Sequence, residues 1–99
     1  MIVRLLRKAR ADLDSIGEYI ARDNPSRAPS FLAELMAKVN GLSTMAESFP
    51  SARLRPYPHI RRRSHGRYGI FYSVNVMAQR VMVHRILHSS QDLARAFNA

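Results

Sequence analysis

The sequence predicts an α+β fold: an N-terminal strand, an antiparallel hairpin of two helices, and then a mainly antiparallel sheet packed against the helices. Three observations lead to this prediction. Apolar residues recur every three or four positions through residues 9–48, which is the spacing of amphipathic helices. Proline follows Asn24 and Phe49, where it ends each helical stretch. Beyond Pro50 apolar and polar residues alternate, which is the period of strands.

The N-terminal half is predicted to hold one strand and two helices, over residues 2–6, 9–23 and 26–48. Asp12 and Asp14 are expected near the positive end of the first helix, where carboxylates are stabilised. Ser26 is the candidate N-cap of the second helix. Gly41 within that helix either lets another backbone approach closely or is simply tolerated. Six apolar residues on the inner helix faces form the predicted core: Leu13, Ile16, Ile20, Phe31, Leu35 and Val39.

The C-terminal half is predicted to hold three strands and a short terminal helix, over residues 59–63, 67–75, 80–88 and 93–97. Residues 51–58 are irregular, because two prolines exclude a central strand there. Tyr72 in the middle strand is interpreted as a packing residue. Strict alternation places one set of side chains on a single face of the last strand: Val81, Val83, Arg85 and Leu87.

Composition sets limits on the class of protein. The 99 residues fit one domain, so residues 1–99 are expected to form a single domain. The absence of cysteine excludes disulfides and thiolate chemistry. No phosphate loop or dinucleotide fingerprint is present, and His84 and His88 would lie about 13 Å apart on a strand, so no cofactor or metal is expected. With no signal-peptide or membrane-span pattern, the chain is expected in the cytoplasm.

Positive charge is concentrated in the second half of the chain. Residues 1–50 carry seven basic and six acidic groups, whereas residues 51–99 carry nine arginines and only Asp92. The total is a net charge of +9. Such a field favours anionic partners, either nucleic acid or an acidic protein segment.

The arginines between residues 53 and 67 are interleaved with aromatic rings, which is typical of a phosphate-binding surface with stacking groups. Arg61, Arg62 and Arg63 are consecutive on a predicted strand, where three neighbouring arginines cannot all be buried. A ribonuclease could use such a surface, since phosphoryl transfer needs cationic stabilisation together with an acid and a base.

Several segments of the chain carry a resemblance to the ParE toxin family. They are RKARADLDSIGEYIARDNP (residues 7–25), Phe31-Leu32, Phe49-Pro50, GRYGIFY (residues 66–72), and HRILH (residues 84–88) with Asp92 following. Their order and spacing are kept over nearly the whole chain. The resemblance implies a RelE/ParE-like fold and the toxin role in a type II toxin–antitoxin system. It also implies DNA gyrase as the target, inhibited without catalysis, and neutralisation by a ParD-like antitoxin in a hetero-oligomer.

The RelE branch of the same superfamily cleaves messenger RNA on the ribosome with basic residues and often a C-terminal tyrosine. Here no lysine follows Lys38, and Phe97 stands where that tyrosine is expected. These departures favour gyrase inhibition, with a ribosome-dependent mRNA endoribonuclease as the alternative, because one fold hosts both activities. A plain nucleic-acid-binding module would explain the charge but not the ordered segments.

The residues expected to bind the target or the antitoxin share positive charge and a place in the matched segments. They are Arg61, Arg62, Arg63, Arg67, Arg85 and His88. Arg85 lies mid-strand between apolar residues, so its loss is expected to act through folding as much as through binding. No catalytic or metal-binding residue is assigned.

Overall fold

The computed structural model describes residues 1–98, and its elements follow the predicted order. They are β1 (Ile2–Leu5), α1 (Arg7–Asp23), α2 (Arg27–Met45), β2 (Arg61–His65), β3 (Tyr68–Asn75), β4 (Arg80–His88) and α3 (Leu93–Asn98). The predicted α+β fold is therefore confirmed. Ala99, the last residue of the predicted domain, lies outside the described residues. No helix within residues 1–98 is both long and apolar enough to cross a membrane.

The four strands form one mixed sheet in the order β1-β4-β3-β2. β2 with β3 and β3 with β4 are antiparallel pairs, whereas β1 runs parallel to β4. A parallel pair needs a long crossover connection. The helix hairpin belongs to that connection, so it packs on one face of the sheet.

The main core fills the space between the helices and the sheet. Three of the six predicted core residues, Ile16, Leu35 and Val39, are buried, and the other three pack partly buried against them. Tyr72 is fully buried in the same core, and its hydroxyl donates a hydrogen bond of 2.6 Å to the carbonyl of Ala46. The interpretation of Tyr72 as a packing residue is confirmed.

A β-bulge in β4 makes the predicted alternation of that strand wrong beyond Val83. Tyr72 pairs with Val83 and Phe71 pairs with Arg85, so His84 is an extra residue in β4. An extra residue reverses the facing of every side chain that follows it. Ile86 therefore joins the main core, and Leu87 packs on the opposite face.

The opposite face of the sheet carries a second, smaller core that the sequence did not predict. Four buried residues form it: Leu54, Ile60, Phe71 and Leu87. The irregular segment 51–60 and α3 cover these residues, and α3 contributes Phe97. The sheet is thus covered on both faces rather than only by the helices.

Two expectations about the helix termini need correction. α1 begins at Arg7, so Asp12 lies beyond the first turn and instead faces β4. Its carboxylate accepts hydrogen bonds from Arg85 Nε at 2.8 Å, Arg85 Nη2 at 2.9 Å and the Ile86 amide at 2.9 Å. Ser26 stands at the N-cap position of α2, but its side chain makes no capping hydrogen bond. Asn24 Oδ1 accepts the Arg27 amide at 3.3 Å instead.

The Asp12 contacts generate a stability prediction. Asp12→Ala should lower the free energy of unfolding by on the order of 3 kcal/mol, because it leaves a half-buried guanidinium without its counter-ion. In a domain of this size the melting temperature should fall by roughly 10 °C or more. Asp14→Ala, an exposed carboxylate on the same helix, is the control and should melt close to wild type. Equal melting temperatures for the two variants would contradict the proposed role of Asp12.

Candidate binding surface

The strands β2, β3 and β4 lie in a part of the chain without carboxylates. No Asp or Glu occurs between Glu47 and Asp92, while that interval contains eight arginines and four histidines. All charged side chains on these strands are therefore basic, and no Asp or Glu on the same strands neutralises them.

Arg61 and Arg63 point toward the helix side and are half-buried. Arg61 Nη1 donates to the carbonyls of Phe49 and Glu47. Arg63 Nη1 donates to the carbonyl of Lys38 at 2.9 Å, and its guanidinium lies 4.7 Å from the centre of the Phe49 ring. Both side chains thus join β2 to α2 and the turn after it. None of the three consecutive arginines is fully buried, as expected, but Arg61 and Arg63 also make internal contacts.

Gly41 explains how Arg63 reaches the helix. A Cβ atom at position 41 would lie 2.8 Å from Arg63 Nη1, closer than side chains pack. The close approach considered for Gly41 therefore exists, but a guanidinium rather than a backbone makes it.

Arg62 points to the opposite face of the sheet. Its guanidinium lies 5.3 Å from the centre of the Phe71 ring, within the range of a cation–π contact. Its Nε is buried without a hydrogen-bond partner among the described residues. A Cβ at Gly69 would lie 2.8 Å from that nitrogen, so Gly69 leaves the space that Arg62 occupies.

Arg67 and His88 lie at one end of the sheet. Arg67 is exposed in the turn between β2 and β3, and its carbonyl accepts the Ser89 amide at 2.7 Å. His88 ends β4, where its ring contacts the Tyr68 ring at 5.0 Å. The Ser90 amide donates to His88 Nδ1 at 3.0 Å, so the neutral ring carries its proton on Nε2.

Arg85 is a structural residue in this fold. Its guanidinium donates twice to Asp12 and also donates to the carbonyl of Ala96 in α3. The hydrogen bond to Asp12 raises the pKa of Arg85, so its guanidinium stays charged. Since all three contacts are internal, a substitution at Arg85 acts through folding.

The histidines sit in different environments. His84 Nε2 lies 2.8 Å from Ser73 Oγ, and burial, followed by the nearby His59, lowers its pKa. His65 Nε2 lies 3.0 Å from Glu34 Oε1. Hydrogen bonds from Arg27 and His65 hold the pKa of Glu34 near 2. Within residues 1–98 no three His, Asp or Glu side chains are grouped closely enough to hold a metal ion.

Two open grooves were not predicted from the sequence. One, of about 270 Å³, is lined by Tyr19 and Ile16 of α1, by Tyr68 and His88, and by the turn after β4. The other, of about 350 Å³, lies between the start of α1, β4 and Phe97. The one available signal was Tyr19, an aromatic residue that falls outside the apolar stripe of α1 and is 61% exposed.

Comparison with known proteins agrees with this geometry. The family model described as "ParE toxin of type II toxin-antitoxin system, parDE" matches residues 3–93. The chain belongs to the ParE toxin family. No curated relative matches it in sequence. The matched family is that of the toxins of type II toxin–antitoxin systems.

Solved structures share the fold of this ParE-family toxin at low identity. A chain of a chromosomal ParDE toxin–antitoxin system from P. aeruginosa superposes with a TM-score of 0.75 at 21% identity, over 89% of this chain and 95% of that one. A chain of the RelBE2 toxin–antitoxin complex from Mycobacterium tuberculosis superposes with a TM-score of 0.69 at 20% identity, over 88% and 95%. At these identities the likeness establishes the fold alone.

The different placement of the arginines predicts different stabilities for two double variants that lose the same charge. Arg61→Ala combined with Arg63→Ala should lower the free energy of unfolding by roughly 3 kcal/mol, because both lose hydrogen bonds from a charged donor. Arg62→Ala combined with Arg67→Ala removes the same charge but should cost less than about 1 kcal/mol. Chemical denaturation of the two double variants measures the difference. If both unfold at the same denaturant concentration, the assignment of Arg61 and Arg63 as structural residues fails.

Proposed function

We propose that residues 1–99 act in the cytoplasm as one toxin domain that inhibits DNA gyrase by binding rather than by catalysis. A ParD-like antitoxin neutralises the toxin by forming a hetero-oligomer with it. Membership of the ParE family supports both parts of this proposal, and the similar P. aeruginosa and M. tuberculosis chains come from toxin–antitoxin systems or complexes. Arg62, Arg67 and His88 are the proposed contact residues, while Arg61, Arg63 and Arg85 hold the surface in shape.

The distribution of charge on the folded chain supports this proposal most directly. Arginines that the fold does not use internally are exposed in the segment without carboxylates, among them Arg53, Arg55 and Arg67. An acidic partner segment meets no repulsion there, and complementary charge raises its association rate and fixes its register. A groove of about 430 Å³, lined by Arg53, Arg55 and apolar residues of the segment 51–58, supplies part of the buried area that affinity requires.

Antitoxin binding is tested by co-expression with the protein encoded immediately upstream. An acidic amphipathic segment that wraps a small basic domain buries a large area, so we expect an affinity of about 1 nM or tighter. The two proteins should co-elute on gel filtration at micromolar concentration and stay together in moderate salt. Separate elution would refute this pairing.

The second candidate function is a ribosome-dependent mRNA endoribonuclease, and one observation favours it. Burial lowers the pKa of His84, and charge repulsion from the nearby His59 lowers it further, so the two histidines lie close together. Tyr57 and Phe97 contact these histidines, at 6.4 Å from His59 and 5.8 Å from His84. Two proton-transfer groups beside aromatic rings are components that RNA cleavage uses.

Single histidine variants distinguish the two candidates. General acid–base catalysis contributes about 10²–10⁴-fold in rate, so a nuclease should lose toxicity at one residue. For a binding toxin, His59→Ala and His84→Ala should each stay toxic, whereas Arg62→Ala with Arg67→Ala should weaken toxicity strongly. Pulse labelling of DNA, RNA and protein after induction gives the order of inhibition. Immediate loss of protein synthesis with mRNA cleavage would overturn the gyrase proposal, and circular dichroism checks that each variant is folded.

A further inference from the structure

The groove beside Tyr19 is placed where the last residue of β4 meets the first residue of β3. Tyr68 and His88 pair across these strands, and their rings line the groove together with Tyr19 of α1. Ile16, which is 6% exposed, provides an apolar contact at the base. At about 270 Å³ the groove is large enough for one planar ring system and small for a complete drug-sized ligand.

Two of the rings that line the groove, Tyr68 and His88, are held in place by their neighbours, whereas Tyr19 is exposed. Tyr68 packs edge-on between Phe31, at 5.5 Å, and His88, at 5.0 Å. The His88 amide donates to Gln91 Oε1 at 2.9 Å, which fixes Gln91 and leaves its Nε2 as a donor. A surface that is ordered before binding loses little conformational entropy when a ligand arrives.

Two nitrogens of the groove, Nε2 of His88 and Nε2 of Gln91, are available as hydrogen-bond donors, and the Tyr and Ser hydroxyls can donate or accept. His88 carries its proton on Nε2 when neutral, because Nδ1 accepts the Ser90 amide. Burial, and then the neighbouring Tyr19, raise the pKa of Tyr68, so its hydroxyl remains a donor at neutral pH. None of the described residues that line the groove carries a carboxylate. Asp92, next to Gln91 in the chain, accepts the Arg95 amide of α3 at 3.2 Å.

These donors decide which ligand fits. An aliphatic or phenyl side chain of a protein partner would cover them without offering acceptors, and each uncompensated donor weakens binding. A nucleobase offers ring nitrogens and carbonyl oxygens in its plane and a π-face for the tyrosine rings. The exposed Arg67, directly before Tyr68, adds a cation for an attached phosphate.

We propose that the groove formed by Tyr19, Tyr68, His88 and Gln91 binds a nucleobase, and that Arg67 contacts the phosphate attached to it. This site goes beyond toxin neutralisation and gyrase inhibition, neither of which requires a base. The base can belong to a free nucleotide or to an unpaired strand, and the two sources share the same ring and phosphate.

Nuclear magnetic resonance titration of the full chain tests the site without antitoxin or gyrase, so its outcome is independent of the proposed function. The probes are adenosine, adenosine 5′-monophosphate, inorganic phosphate, a hexadeoxyadenylate and N-acetylphenylalaninamide. Adenosine and its monophosphate should shift Tyr19, Tyr68, His88 and Gln91, and the monophosphate should bind more tightly through Arg67. Tighter binding per base by the hexanucleotide identifies a strand as the source, and equal binding identifies the free nucleotide.

Three variants and one control sharpen the test. Tyr19→Ala should weaken adenosine binding about fivefold to a hundredfold, the range for loss of an aromatic stacking partner, whereas Tyr19→Phe should retain it. Gln91→Glu keeps the acceptor for the His88 amide but replaces a donor by a carboxylate, so it should weaken binding without unfolding. Met77→Ala, at a 96% exposed apolar residue outside the groove, is the matched control and should bind like wild type.

Three results would overturn the proposal. The first is no shift of the groove residues with adenosine or its monophosphate. The second is the same shifts with inorganic phosphate alone, which would mean that no base is recognised. The third is tighter binding of N-acetylphenylalaninamide than of adenosine, which would make the groove a pocket for an aromatic side chain of a protein partner.

Discussion

The carboxylate of Asp12 connects the parts of this fold that are distant in sequence. It accepts two hydrogen bonds from Arg85 and one from the Ile86 amide, so α1 is joined to β4 immediately after the bulge. The same guanidinium donates to the carbonyl of Ala96, which places α3 against the opposite face. A guanidinium has five donors in a planar fork, so Arg85 can bind the Asp12 carboxylate with two of them and the Ala96 carbonyl with a third. The geometry of both sheet faces depends on this ion pair, although neither of its members is an apolar core residue.

The bulge at His84 gives the toxin two unequal faces. Before the bulge, Val81 and Val83 pack on the helices; after it, Ile86 does so and Leu87 turns to the small second core. The face under the helices is conventional in its packing. The other face carries the smaller core, which the segment 51–60 and α3 cover, and Arg62 and His84 pack against its aromatic rings. Such an arrangement suits a small domain whose partner adds stability by binding, since ligands that bind only the folded state stabilise it.

The element order, the main core and the packing role of Tyr72 were predictable because they follow from periodicity along the chain. The bulge was not predictable, since it arises from pairing between strands and leaves no mark in the alternation of β4 itself. The different placement of the three consecutive arginines was equally unpredictable from the sequence. Arg61 and Arg63 lie on one face of β2 and Arg62 on the other, and the sequence does not distinguish them in any other way. Gly41, which leaves space for Arg63, lies 22 positions earlier in the chain. Asp12 was interpreted as a charge near a helix end, because the sequence does not show that Arg85, 73 positions later, is its partner.

The parallel pairing of β1 with β4 has a consequence for synthesis of the toxin. The register partners of β1, residues 80–83, lie 78 positions later in the chain. The sheet therefore cannot be completed on the ribosome until nearly the whole chain has left it, because long-range pairing must wait for its distant partner. A nascent or truncated chain that ends before β4 has no partner for β1 and no Arg85 for Asp12. The complete sheet, and with it the candidate binding surface on β2, β3 and β4, therefore forms only after β4 has been made.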